Sequence, residues 1–422
     1  MKELARGIRI NILGNFLRFS RAGFLLFAAW AFGVEAFGIY TVVWAATEVL
    51  IRFGYLGLDQ GLLFELAHFK KQENDAKLYG KIAASLKVCL TLALLEMAGL
   101  FFYCRYFVDG PQIRRAFYIL IPVVPCYMAA TLLLQATQGL KEMKYAALVR
   151  SGAEPAALML FAVIFWVSPV REVGIILAQA ASLAVAGLLS LWAFRRFFSL
   201  SKLFRAFKTK IDVRSLIFYS IPMQGIELLD TLFYRLDIFF ISWFLGTGSP
   251  EQRQLLGIYG LAKQIARVIT QTKTAFGQIF VPVTSESFLG EEEKTLKKQL
   301  RYALEKIVLL NVPFVLILGF FGLDILGWYG KDASILPRAA YFWLLAGQFC
   351  FSNAYLLMLF LVTVGEWRWL VPAGAGILLA AFAGGFWVTP VWGATGAAAV
   401  TFFTYFCWSS LAVLQTRRHF DE

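Results

Sequence analysis

The 422-residue chain is 59% hydrophobic and only 16% charged, with a mean hydropathy of +0.67. Soluble domains carry about 25% charged residues, so these figures exclude a soluble globular protein and indicate a polytopic membrane protein. The formal charge of +13 has no soluble domain on which to build a nucleic-acid surface, so no nucleic-acid partner is expected; the excess adds attraction to anionic lipid.

A membrane helix needs about 20 predominantly apolar residues. In chain order the apolar runs predict twelve spans, at 10–31, 38–62, 82–104, 115–138, 146–168, 173–194, 214–245, 255–282, 302–323, 338–363, 369–388 and 393–414. The fold class expected is an all-α integral membrane protein. No cleavable signal peptide is expected, because Arg18 and Arg21 interrupt the first apolar run. With the N-terminus inside, most of the 40 Lys and Arg fall on the cytoplasmic side. Only Arg105, Arg114, Arg115, Arg171, Arg253, Lys331 and Arg338 fall on the other. The positive-inside rule then places both termini in the cytoplasm.

The spans carry charge, which costs about 2.5–3.5 kcal/mol per residue at mid-bilayer on insertion scales. In the first span Asn11, Asn15 and Arg18 share a helical face, with Arg21 at its edge. In the second, Glu48, Arg52, Tyr55 and Asp59 form a stripe. Glu227, Asp230 and Asp237 share a face of the seventh span, whereas Arg235 points elsewhere; Lys263 and Arg267 share a face of the eighth, with Lys273 further on. Other spans are poorer in charge, with Lys87, Glu96, Glu154 and Lys306 as the main exceptions. Two readings are open. The cations form an anion-binding cavity, with carboxylates that hold them or take up a coupling ion such as Na⁺ or H⁺; or the charges are ion pairs that lock helices together. The i,i+4 spacing of Glu48 and Arg52 suits a pair. Arg18, Lys263 and Arg267 have no acidic neighbour in sequence and suit a site, and Arg21, Arg52 and Lys273 suit snorkelling to a membrane face.

Phe37-Gly38-Ile39-Tyr40 is matched by Leu256-Gly257-Ile258-Tyr259, and Trp166-Val167-Ser168-Pro169-Val170 by Trp387-Val388-Thr389-Pro390-Val391, at nearly the same offset. Six spans precede the repeat, so the two halves would be parallel repeats. The expected division is an N-terminal lobe at 1–198, a linker at 199–213 and a C-terminal lobe at 214–422. In the basic stretch from Arg195 to Arg214, Leu200, Leu203, Phe204 and Phe207 recur at helical spacing among Lys202, Arg205 and Lys208. This reads either as an interfacial amphipathic helix or as a basic cytoplasmic loop. Pro122, Pro125, Pro155, Pro222 and Pro282 mark expected bends.

Enzyme chemistry finds little support. His68 and His419 are the only histidines, the five cysteines lack metal-ligand spacing, and neither a Ser/His/Asp set nor a phosphate-cradling glycine loop is present.

On Phe37-Gly38-Ile39-Tyr40, Phe53-Gly54-Tyr55-Leu56-Gly57-Leu58-Asp59-Gln60-Gly61, Ser220-Ile221-Pro222, Asp237, Gly257-Ile258-Tyr259, Pro282 and Gly393-x-x-Gly396-Ala397-Ala398, the chain resembles the Wzx-type oligosaccharide flippases, or polysaccharide transporters, of the MOP superfamily. The resemblance implies two six-helix lobes in a V that alternate between inward- and outward-open states. It implies a polyprenyl-diphosphate oligosaccharide as cargo, moved from the cytoplasmic to the outer leaflet of the cell membrane for surface polysaccharide synthesis. The diphosphate would meet a cationic cavity, matched here by Arg18, Arg52, Lys263 and Arg267, with Arg21 and Asn15 beside them. Asp59, Glu48, Glu227, Asp230 and Asp237 would pair charge or couple an ion. No enzyme activity, metal or cofactor is implied; a monomer in the bilayer is expected, with a glycan polymerase or glycosyltransferases as partners. Two alternatives stay open: an ion-coupled exporter of small molecules like the MATE proteins, although the first span has arginines where those commonly carry an acid, and a non-transporting scaffold for glycan assembly. Lipid II flippases usually have fourteen spans.

Overall fold

The computed structural model describes residues 23–59, 61–62, 66, 75–108, 110–140, 142–208, 214–270, 272–273, 293–329 and 334–421. Regular structure among them is helical throughout. The elements are α1 (Gly23–Phe32), α2 (Val34–Tyr55), α3 (Asp75–Phe107), α4 (Pro111–Leu120), α5 (Val123–Gly139), α6 (Met143–Ala146), α7 (Glu154–Trp166), α8 (Gly174–Arg195), α9 (Leu200–Ala206), α10 (Arg214–Phe240), α11 (Pro250–Ala266), α12 (Glu293–Gly327), α13 (Arg338–Thr363) and α14 (Trp367–Asp421).

Eight helical stretches among the described residues are long and apolar enough to cross a bilayer. The predicted spans that fall short do so for visible reasons. Only the end of the first, α1, is described; α10 is interrupted by Glu227, Asp230, Arg235 and Asp237; and α11 has 17 residues before the chain tightens into a 3₁₀ turn at Arg267–Thr270. α14 runs through Gly393, whose φ of 56° and ψ of −136° break it between the two predicted spans. The chain is therefore an all-α integral membrane protein.

Contacts divide the chain into two compact units, Met1–Leu228 and Leu229–Glu422, with the division inside α10. In the first unit, α8 packs against α5 and α7, α3 packs against α5, and α2 leans on α3, α4 and α8. Its core joins Ile51, Leu58, Leu62, Ile82, Cys89, Met128 and Phe194. A π-helical stretch, Ala147–Ala153, precedes Glu154-Pro155 at the start of α7. The basic stretch after α8 takes the helical alternative: α9 lies on α3, buries Leu203, and the Ser199 N–H donates to the Tyr79 hydroxyl at 2.8 Å. In the second unit α13 is central, packing against α11, α12 and α14 around Phe233, Ile307, Phe360 and Tyr405.

The first turns of α10 belong to the first unit because α2 holds them. The Gln224 amide donates to the Arg52 carbonyl oxygen. After α2 the chain turns through Leu56 and Gly57, at φ 46° and 73°, and a Cβ on Gly57 would lie 2.4 Å from the Ser220 carbonyl oxygen. Both the left-handed backbone and the close approach require glycine. Gly57→Ala is expected to cost at least the 1–3 kcal/mol typical of such strain and to lower the melting temperature of the detergent-purified protein by several degrees. An unchanged melting temperature would show that the turn rearranges freely.

Candidate anion site

The second unit contains a cluster built by two adjacent helices. α11 starts sharply: Ser249 and Gln252 form a reciprocal capping box, Pro250 occupies the first turn, and Arg253 Nη1 donates to the Thr247 and Gly248 carbonyls at 3.2 and 2.6 Å. That start fixes the register of Tyr259, Lys263 and Arg267, spaced four apart and therefore on one stripe. α10 offers Tyr234 and Asp237, three apart, to the same stripe.

The two stripes interlock. The Tyr259 hydroxyl donates to Asp237 Oδ2 at 2.7 Å, and the Ile238 N–H donates to Asp237 Oδ1 at 2.8 Å. Lys263 Nζ donates to both oxygens of Asp237, at 2.6 and 2.7 Å, and to the Tyr234 carbonyl. The Lys263 and Asp237 side chains are 1% and 0% exposed, so this pair is sealed. Three cations surround the Tyr234 ring: Lys263 at 4.3 Å from its centroid, Arg267 at 4.4 Å and Arg235 at 4.7 Å. Gln264 Nε2 and Arg267 Nη1 donate to the Tyr234 hydroxyl at 3.2 and 3.3 Å. Arg235 is buried, whereas Arg267 is exposed. The ring thus holds a guanidinium by cation–π attraction and a hydrogen bond while leaving it accessible.

Six residues after Arg267, Lys273 stands 3.5 Å from the centroid of the Phe351 ring and 4.3 Å from that of Tyr355. Beside it a neutral polar network anchors the end of the 3₁₀ turn. Thr272 donates to Asn311 Oδ1 at 2.6 Å, and Asn311 Nδ2 donates to Ser352 and Asn353 at 3.1 and 2.7 Å. Asp230, on α10, is half-buried.

In the first unit Arg52 Nη1 donates to Glu227 Oε2 at 2.5 Å, with the two side chains 37% and 35% exposed. Its hydrogen-bond acceptor is therefore the distant Glu227 and not Glu48 at i−4. Asp59 is buried, and its Oδ1 has no hydrogen-bond partner among the described residues. A partly buried chain links Tyr55 to Thr131, Thr131 to the Tyr127 carbonyl at 2.6 Å, and the Tyr127 hydroxyl to Glu154 at 3.4 Å. Asn15, Arg18 and Arg21 lie outside the described residues.

The sequence marks Lys263, Arg267 and Asp237 by their charge and Tyr259 only as part of a repeated motif, and it gives Tyr234 no mark. A further signal for Tyr259 was present in the spacing, since Tyr259-x-x-x-Lys263-x-x-x-Arg267 places a phenol on the charged stripe. Removing one member of a sealed ion pair strands the other and costs about 3–5 kcal/mol. Asp237→Asn is therefore expected to lower thermal stability severely, and Lys263→Met on top of it to restore part of the loss. Additive losses in the double variant would mean that the two groups are not energetically coupled.

The profile of the family described as polysaccharide biosynthesis protein matches residues 4–288. A multidrug resistance MATE family transporter of the MOP superfamily, in an inward-facing conformation, superposes with a TM-score of 0.70 at 14% identity, over 96% of this chain and 94% of that one. The lipid II flippase MurJ, in an inward closed conformation, superposes with a TM-score of 0.71 at 11% identity, over 97% and 86%. The MATE multidrug transporter DinF-BH in complex with R6G gives 0.69 at 13% identity, over 99% and 96%. No curated protein shows a significant sequence match. Identities this low establish the fold and not the cargo. The profile match covers more than half of the sequence, and the protein belongs to the polysaccharide biosynthesis protein family, with the fold of MOP-superfamily transporters.

Proposed function

We propose that the protein is a flippase that moves a polyprenyl-diphosphate-linked oligosaccharide from the cytoplasmic to the outer leaflet of the cell membrane by alternating access. The observation that carries this reading is Arg267, an exposed guanidinium held over Tyr234 in a predicted membrane span. An exposed guanidinium within a predicted span marks a polar, water-accessible pathway through the membrane. Guanidinium forks match phosphate oxygens, and the family match supports a glycan on the diphosphate. Arg267 would hold the diphosphate, with Arg235 and Lys273 adding positive potential. Lys263, already bonded to Asp237, would set the geometry of Tyr234. Arg18, Arg21 and Asn15 remain proposed contributors from the first span.

Both termini would be cytoplasmic, and a glycan polymerase or glycosyltransferases would act on either side of the step. The coupling ion, H⁺ or Na⁺, would be taken up at Asp59, whose buried Oδ1 makes no hydrogen bond within the described residues. An ion biases two states only through its differential affinity for them. Asp59→Asn is therefore expected to leave flipping at zero gradient intact and to abolish its response to imposed proton or sodium gradients. A full response in the variant would remove Asp59 from the coupling role.

A reading as a small-molecule exporter is favoured by the likeness to MATE transporters, and one assay separates the two. In proteoliposomes, flipping of a fluorescent polyprenyl-diphosphate oligosaccharide is compared between wild type and Arg267→Gln. A hydrogen bond to a charged group contributes about 1.5–3 kcal/mol, so the variant should be slowed about ten- to hundredfold at unchanged melting temperature. Tyr234→Leu, which releases the guanidinium, should fall between the two. Wild-type protein that flips no member of a glycan panel yet exports a cationic dye would overturn the flippase reading.

A further inference from the structure

A groove in the second unit has no part in the anion site. It is a cavity of about 510 Å³ between the early turns of α12, Leu357 of α13 and the last turns of α14, within the range of about 300–1,000 Å³ usual for ligand pockets. Its floor is apolar, with Leu304 and Phe420 joining the core of this unit. Its rim is basic: Lys297, Arg301 and Arg417 are all exposed. Lys297 Nζ stands 5.2 Å from the centroid of the Phe420 ring, and Arg301 Nε bonds Glu305 Oε1 at 2.9 Å. Against these three cations the lining offers one carboxylate, Glu305. Thr416 also lines the groove; it is 6% exposed, and its hydroxyl has no hydrogen-bond partner among the described residues.

We infer that this groove binds an anionic phospholipid, with one acyl chain along the apolar floor and the phosphate between Lys297, Arg417 and the Thr416 hydroxyl. The height of the groove fits such a ligand. The apolar runs predicted at 302–323 and 393–414 place Lys297 just before the start of one span and Arg417 just after the end of another. Both cations therefore sit at the level of lipid headgroups, where basic side chains meet anionic lipid. An apolar floor below a basic rim complements a molecule that is anionic at one end and hydrocarbon at the other. The unsatisfied threonine supplies a donor where a phosphate or ester oxygen would lie.

The test uses full-length protein purified in detergent and offered equal amounts of phosphatidylglycerol and phosphatidylcholine with identical acyl chains. After gel filtration, the retained lipid is quantified by mass spectrometry. Wild type should retain phosphatidylglycerol preferentially. Lys297→Gln with Arg417→Gln should cut that preference about thirtyfold, because each of the two basic residues at the surface contributes about 1 kcal/mol toward anionic lipid. Thr416→Val should weaken retention with little change in shape, and Leu304→Trp should expel the lipid by filling the floor. Unchanged retention in all three variants would reduce the lipid to non-specific annular binding and overturn the assignment. So would displacement of phosphatidylglycerol from wild type by an equal amount of polyprenyl phosphate, which would give the groove to the isoprenoid carrier. Neither result depends on flipping activity.

Discussion

The structure rests on the neutralisation of Lys263 by Asp237. An ammonium group with 1% exposure in an apolar protein survives only if its charge and its hydrogen-bonding capacity are met in place. Asp237 supplies two acceptors and the Tyr234 carbonyl a third. Asp237 is in turn satisfied by Tyr259 and its neighbouring backbone N–H. Because every member is bonded, the pair fixes the register of α10 against α11. It thereby sets the position of the Tyr234 ring, and the ring positions Arg267. The accessible cation therefore depends on the sealed one, and the two lysine and arginine positions that look alike in sequence have separate duties.

The same constraint sorts the other membrane charges. Arg52 and Glu227 are paired but one-third exposed, so their attraction is weaker than that of a sealed pair and the cost of separating them is lower. Such a pair contributes less to holding its helices together than the sealed pair of Asp237 and Lys263 does. Thr272, Asn311, Ser352 and Asn353 achieve a comparable fixation without charge, and so add no field beside Lys273.

The helices were legible in the sequence because a bilayer leaves few choices: a long apolar run must be helical to satisfy its backbone. Gly393 falls where the last two runs were separated, and the basic stretch at Leu200–Ala206 folds as its amphipathic spacing suggests. Pairing was much less legible. Periodicity tells which residues share a face but not which faces meet. Lys263 lacked an acidic neighbour along its own helix because its acid lies across the gap on α10, and Arg52 bonds a residue 175 positions away instead of Glu48. Tyr234 carries no charge and so gave no alarm, although it organises three cations. The lipid groove was less visible still, since it joins residues from α12 and α14 whose separate patterns are those of ordinary span ends.

The matching sequence segments set two of these hydrogen bonds side by side. Tyr40 and Tyr259 occupy matching positions, and both are buried hydrogen-bond donors on the second long element of their repeat. Tyr40 donates to the neutral amide of Gln179 at 3.0 Å, whereas Tyr259 donates to the carboxylate of Asp237. At the same sequence offset, Trp44 stands where the second half has Lys263, Glu48 where it has Arg267, and Arg18 where it has Asp237. A charged acceptor makes the stronger hydrogen bond, so the matched phenol is held more firmly by Asp237 in the second half than by Gln179 in the first.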